Sequence, residues 1–163
     1  MFKLTSTACI EANIAEVWKV LSNIENVSLW IDPIEESFCS GGINRGIGAK
    51  RICKLKGNIT IYEKWVDWQE GRSFTYEGFD IPLTKSAKNT WSVKQEDDKT
   101  LLISEAEIEL KGGFLGKLLE PLMIFFSKKM AADSLASFKY LVEEGRPFEG
   151  KPSSLARVPV SCW

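Results

Sequence analysis

Residues 121–144 read Pro-Leu-Met-Ile-Phe-Phe-Ser-Lys-Lys-Met-Ala-Ala-Asp-Ser-Leu-Ala-Ser-Phe-Lys-Tyr-Leu-Val-Glu-Glu. At ~100° per residue, Met123, Ile124, Ser127, Met130, Ala131, Ser134, Leu135, Phe138, Leu141 and Val142 fall on one uncharged arc. Lys128, Lys129, Asp133, Lys139, Glu143 and Glu144 fall on the other side. This is the pattern of a helix packed against something apolar. The middle of the stripe, Ser127, Ala131 and Ser134, projects little volume. Either a neighbouring element comes very close there, or the helix covers a hollow. The rest of the chain favours the hollow, and a hollow implies a small-molecule ligand.

Upstream, Phe2 to Glu11 reads as a strand ending before Asn13, which with Glu16 forms an Asn-led capping box. Ile14, Val17, Trp18 and Leu21 then make a short amphipathic helix, and Ile24 to Leu29 a second, before Asp32-Pro33 breaks helical structure. Strands are predicted over 34–40, 47–55, 59–68, 73–79, 84–95 and 100–111, joined by short turn-rich links that favour an antiparallel meander. A helical turn at Phe114 to Glu120 precedes Pro121, placed in the first turn of the long helix. Residues 1–145 are expected to form one domain. Residues 146–163, with Pro147, Pro152 and Pro159, read as a tail that is ordered only if it docks. One helix is too narrow to cover a flat seven-stranded sheet. A curved sheet wrapped around the helix solves this and leaves space between them.

Composition narrows the chemistry. With 21 basic and 22 acidic residues there is no electrostatic footprint for nucleic acid. The first residues carry no apolar signal core and no run reaches membrane-span length, so a cytoplasmic protein is expected. Cys9, Cys39, Cys53 and Cys162 are then expected as reduced thiols. No Cys-x-x-Cys pair is present, and the chain has no histidine, so no metal site and no cofactor is expected. The missing histidine also removes the commonest general base and every Ser-His or Cys-His pair. Any catalysis is left to carboxylates, Lys, Arg, Tyr or Cys.

Five segments carry a family resemblance: Ile10-Glu-Ala-Asn-Ile-Ala-Glu-Val-Trp-Lys-Val-Leu-Ser-Asn, Leu29-Trp-Ile-Asp-Pro-Ile, Gly46-Ile-Gly-Ala-Lys-Arg, Ile61-Tyr-Glu-Lys-Trp-Val-Asp-Trp-Gln-Glu-Gly-Arg, and Trp91-Ser-Val followed by Lys99-Thr. In this order, over residues 3–144, the chain resembles the START/Bet v 1-like (SRPBCC) superfamily and its polyketide cyclase/dehydrase and lipid-transport-like group. The resemblance implies an α+β helix-grip fold: a curved seven-stranded antiparallel sheet around a long C-terminal helix, with two short helices after the first strand. It also implies binding or transport of an apolar molecule (lipid, sterol-like, quinone or polyketide-like) in an internal cavity. Members with enzymatic activity, of the cyclase or dehydratase type, react ligands in the same cavity, and related folds serve as ligand-free interaction modules.

The ligand-lining candidates are Trp30, Phe38, Arg51, Glu63, Trp65, Phe74, Tyr76, Trp91, Ser127, Met130, Ala131 and Ser134. A three-residue turn at Lys56-Gly57-Asn58 sets Arg51 opposite Glu63 on one face, where the pair orients a polar ligand group. A two-residue turn sets Arg51 opposite Tyr62 and turns Glu63 outward. No catalytic residue is assigned for a carrier; for an enzyme, Glu63 and Tyr76 are the acid/base candidates. The Gly41 to Gly48 loop feeds a strand rather than a helix, so it is read as a hairpin loop and not a phosphate cradle. Glu105, Glu107 and Glu109 alternate as a solvated outer face. Leu115, Leu118, Leu119, Leu122, Phe125 and Phe126 form a second apolar group, packed locally or making transient membrane contact near Leu122, Phe125 and Phe126. Cys39 and Cys53 are equidistant from Gly46, so a simple hairpin makes them neighbours. The expected partner is an apolar small molecule, with the chain a monomer or weak dimer.

Overall fold

The computed structural model describes residues 1–163. The chain forms strand β1 (Phe2–Ile10), helix α1 (Ile14–Leu21), a 3-10 helix at Ile24–Leu29, strands β2 (Ile34–Ser40), β3 (Lys50–Leu55), β4 (Ile59–Gln69), β5 (Ser73–Phe79), β6 (Thr84–Glu96) and β7 (Lys99–Leu110), and helix α2 (Phe114–Glu144). All seven strands make one antiparallel sheet in the order β1-β7-β6-β5-β4-β3-β2. The helix-grip α+β architecture is therefore present. No helix is long and apolar enough to cross a membrane.

Local chemistry explains the elements. Asn13 accepts from Glu16 N while the Glu16 carboxylate accepts from Asn13 N, so the capping box starts α1 as its residues dictate. Register shifts in β2, β4 and β6 bend the strands and increase their twist, which curls the sheet toward α2. The strand expected from residue 47 starts at Lys50. Gly46 and Gly48 take φ of 87° and 88°, which breaks the extended run. The backbone still follows β4 there, because Gly48 N donates to Trp65 O and Trp65 N to Ala49 O. This register pairs Cys39 with Arg51 and Ser37 with Cys53, so the two free thiols are not opposite each other.

Helix α2 also corrects the expectation at Pro121. It begins at Phe114 and runs through the proline without interruption. Proline lacks the N–H that would bond Lys117 O, and Lys117 is exposed, leaving that carbonyl to solvent.

The apolar core occupies one end of the molecule. Val17, Trp18 and Leu21 of α1, Ile24, Val27 and Trp30 pack with Phe74, Trp91, Val93 and Leu102 of the sheet and Leu135 and Phe138 of α2. Trp30 makes edge contacts with Trp91 at 5.5 Å and Phe138 at 5.0 Å between ring centroids. This end holds the second half of α2 firmly on the sheet.

Residues beyond Gly145 dock along β1. Cys9 N donates to Pro159 O at 2.7 Å and Thr7 Oγ1 to Val160 O at 2.8 Å, so the tail covers the free edge of the sheet. Cys9 and Cys162 form a disulfide, which corrects the expectation of four free thiols. Docking brings the two sulfurs together across the whole length of the chain.

Candidate functional site

A cavity of about 140 Å³ lies between the sheet and the middle of α2. Ser127, Met130, Ala131 and Ser134 form its helix side, and Tyr76, Asn89, Trp91, Ser104, Ala106 and Ile108 much of its sheet side. The small side chains of α2 leave room that leucine would fill, and of the two readings of the stripe the structure has the hollow. Its volume matches a single ring or a short acyl segment; a cavity of ~150 Å³ is enough to take benzene.

One polar chain crosses the floor. Ser104 Oγ donates to Asn89 Oδ1 at 3.1 Å, and Asn89 Nδ2 donates to the Tyr76 hydroxyl at 3.3 Å. With its lone pair engaged by Asn89, the phenol keeps its proton for an acceptor in the cavity. Burial, with the Glu63 carboxylate adding to it, pushes the Tyr76 phenol above its ordinary value. At neutral pH it is therefore a hydrogen-bond donor.

Arg51 and Glu63 face each other in the register set by the three-residue turn. Arg51 Nε and Nη2 each lie 2.6 Å from Glu63 Oε2, and Nη1 donates to Ile24 O at 2.7 Å. The Cys53 thiol lies 3.5 Å from the same carboxylate oxygen. The guanidinium sits over the Trp65 ring at 4.9 Å and the Tyr76 ring at 5.6 Å. Both charges are buried and neither borders the main cavity. Arg51 instead lines a void of about 10 Å³ beneath it, bounded also by Trp30, Trp65, Phe74, Tyr76 and Trp91. Trp65 Nε1 is a buried donor with no acceptor in the protein. The geometry makes Arg51 and Glu63 a brace behind Tyr76.

Six of the residues singled out in the sequence thus border the cavity: Tyr76, Trp91, Ser127, Met130, Ala131 and Ser134. Trp30, Arg51, Trp65 and Phe74 border the small void, and Glu63 pairs behind it. Phe38 is 37% exposed and faces Lys54 at 5.6 Å, away from both spaces. Asn89 and Ser104 were missed. The inward direction of Ser104 was signalled by the alternation of β7: if Glu105, Glu107 and Glu109 face solvent, Ser104, Ala106 and Ile108 face inward. Asn89, on β6, is placed by the register that sets it opposite Tyr76 and Ala106. No cluster of three or more His, Cys, Asp or Glu side chains is placed to hold a metal ion.

Known structures share this architecture. XoxI from Bacillus cereus aligns with a TM-score of 0.74 at 17% identity, covering 88% of this chain and 97% of that one. A protein from Thermus thermophilus gives 0.74 at 14% identity, covering 88% and 99%. Norcoclaurine synthase from Thalictrum flavum, in complex with dopamine and hydroxybenzaldehyde, gives 0.65 at 18% identity, covering 90% and 89%. At these identities the likeness is one of fold. No curated protein matches the sequence. The family model described as polyketide cyclase / dehydrase and lipid transport matches residues 1–143, nearly the whole ordered body of sheet and helices, and the chain belongs to that family.

Proposed function

We propose that the protein binds a small apolar molecule bearing one hydrogen-bond acceptor, such as a ketone or quinone oxygen, and carries it between sheet and α2. The observation that carries this reading is the oriented chain from Ser104 through Asn89 to Tyr76, which ends in a free donor at the floor of a mostly apolar hollow. Apolar burial supplies affinity at ~25 cal/mol per Å² before ordering costs. The volume favours a ring-sized group; a sterol needs more room than 140 Å³ unless α2 moves.

Acetophenone and ethylbenzene are matched probes differing in the carbonyl. Titration calorimetry is expected to show tighter binding of acetophenone. Tyr76→Phe is expected to weaken acetophenone about tenfold, the worth of one hydrogen bond of ~1.4 kcal/mol, and to leave ethylbenzene unchanged. Ala131→Leu fills the hollow and is expected to abolish both. Binding that persists in the filled variant would overturn the reading.

The enzymatic alternative narrows to Tyr76. Its neutral phenol is a general acid facing the cavity, whereas Glu63 is neutralised by Arg51 and lines neither space. Turnover of an added ketone that is lost in Tyr76→Phe while binding survives would favour catalysis over carriage.

A further inference from the structure

We propose that the first half of α2 docks on an anionic lipid bilayer, with its outer apolar stripe in the acyl boundary and its lysines on the headgroups. Docking requires no ligand, so this inference stands independently of the cavity reading.

The helix carries apolar residues on two opposite faces. Gly116, Met123, Ser127 and Ala131 turn toward the sheet. Phe114, Leu115, Leu118, Leu122, Phe125 and Phe126 lie within an arc of ~120° on the far side and are all exposed, with Phe114 at 81%, Leu118 at 70% and Phe125 at 65%. One face explains packing on the sheet; the second has no partner within the chain. The docked tail does not supply one. It meets α2 only from Lys128 onward, where residues 152–160 line a groove with Ala132, Asp133 and Ala136.

Charge selects the occupant. The chain as a whole is at −1, yet residues 111–132 hold four lysines (Lys111, Lys117, Lys128, Lys129) against a single acid, Glu120. That acid is already held by the N-terminal ammonium at 2.8 Å. A second copy fits this pattern poorly. Packed antiparallel about the Glu120 region, two stripes set Lys129 of one copy against Lys111 of the other; packed parallel, each lysine meets its own counterpart. Both arrangements close like charges over apolar contact. A bilayer accepts the same layout, with phenylalanine and leucine below the headgroups and lysines reaching up to the phosphates.

Flotation of the full chain with vesicles of phosphatidylcholine alone, or of phosphatidylcholine and phosphatidylglycerol in equal parts, tests the proposal. Binding is expected to be about tenfold or more tighter on the anionic vesicles and to weaken with added salt. Phe125→Ser with Phe126→Ser is expected to abolish it, and Lys128→Gln with Lys129→Gln to remove the anionic preference. These side chains are exposed, so circular dichroism and Tm should match the parent. Equal binding to both vesicles, or binding retained by the phenylalanine variant, overturns the proposal. So does a concentration-dependent dimer in sedimentation that the phenylalanine variant dissolves, because the stripe then belongs to a second copy.

Discussion

Arg51 ties together several parts of the interior, since it touches Glu63, Ile24, Trp65 and Tyr76 at once. Removing it leaves the Glu63 carboxylate buried without its counter-charge, a loss of ~3–5 kcal/mol. Arg51→Met is therefore expected to destabilise the fold by that amount in urea titrations. Arg51→Met with Glu63→Leu should recover most of it, because a matched apolar pair leaves no orphan charge. Near that pair, burial, opposed only partly by Arg51, pushes the Cys53 thiol up to about 12; burial and Glu25 push Cys39 up to about 11. Both should resist alkylation at pH 8 until the chain unfolds.

Glu70 behaves in the opposite way. Hydrogen bonds from Arg45, Trp68 and Trp18 hold its carboxyl down at about 2, and so tie α1 and the glycine loop to the end of β4. A folded value below the unfolded one means that the stability it contributes is complete above pH ~4.5 and is lost as pH falls toward 2. Glu70→Gln should lower Tm at pH 7, with the gap to the parent closing on acidification. A constant gap down to pH 2 would refute this role.

At the scale of elements, α2 shows what a sequence makes legible. The stripe from Met123 to Val142 announced the helix and limited what lies opposite its small residues to a close approach or a hollow, because helical period and side-chain volume are local properties. The continuity of α2 was not legible. Helical structure was expected from Phe114, but Pro121 reads as the first turn of a separate helix, and only the structure shows one helix running through it. A Cβ on Gly116 would lie 2.5 Å from Lys111 O, so the opening turn sits directly on the backbone that leaves β7. Gly116→Ala must push that backbone aside. An expected loss of ~1–3 kcal/mol, the usual size of overpacking, is measurable by urea unfolding. The polar floor was half visible: Tyr76 and Trp91 stood out as aromatics, whereas Asn89 and Ser104 gain meaning only once register sets them beside the phenol.

On the scale of the whole molecule, the first and last stretches of the chain meet, and no periodic pattern could have shown it. Cys9 and Cys162 lie 153 residues apart, and their pairing depends on the tail lying against β1. A cross-link closing so long a loop restricts the unfolded chain strongly; chain entropy alone gives ~5 kcal/mol, and observed values are more often ~2–4. The native contacts of residues 146–163 are few and exposed, so they replace little of that constraint once the bond is cut. Reductant is therefore expected to lower the urea stability of the full chain by ~2–4 kcal/mol. Cys162→Ser should show the same deficit and no further response to reductant. Limited trypsin digestion should then cut first at Arg157, because the edge of β1 no longer holds the segment in place and Arg146 and Lys151 each precede a proline. If stability and cleavage are the same with and without reductant, the tail is held by its hydrogen bonds alone and the link contributes nothing to the fold.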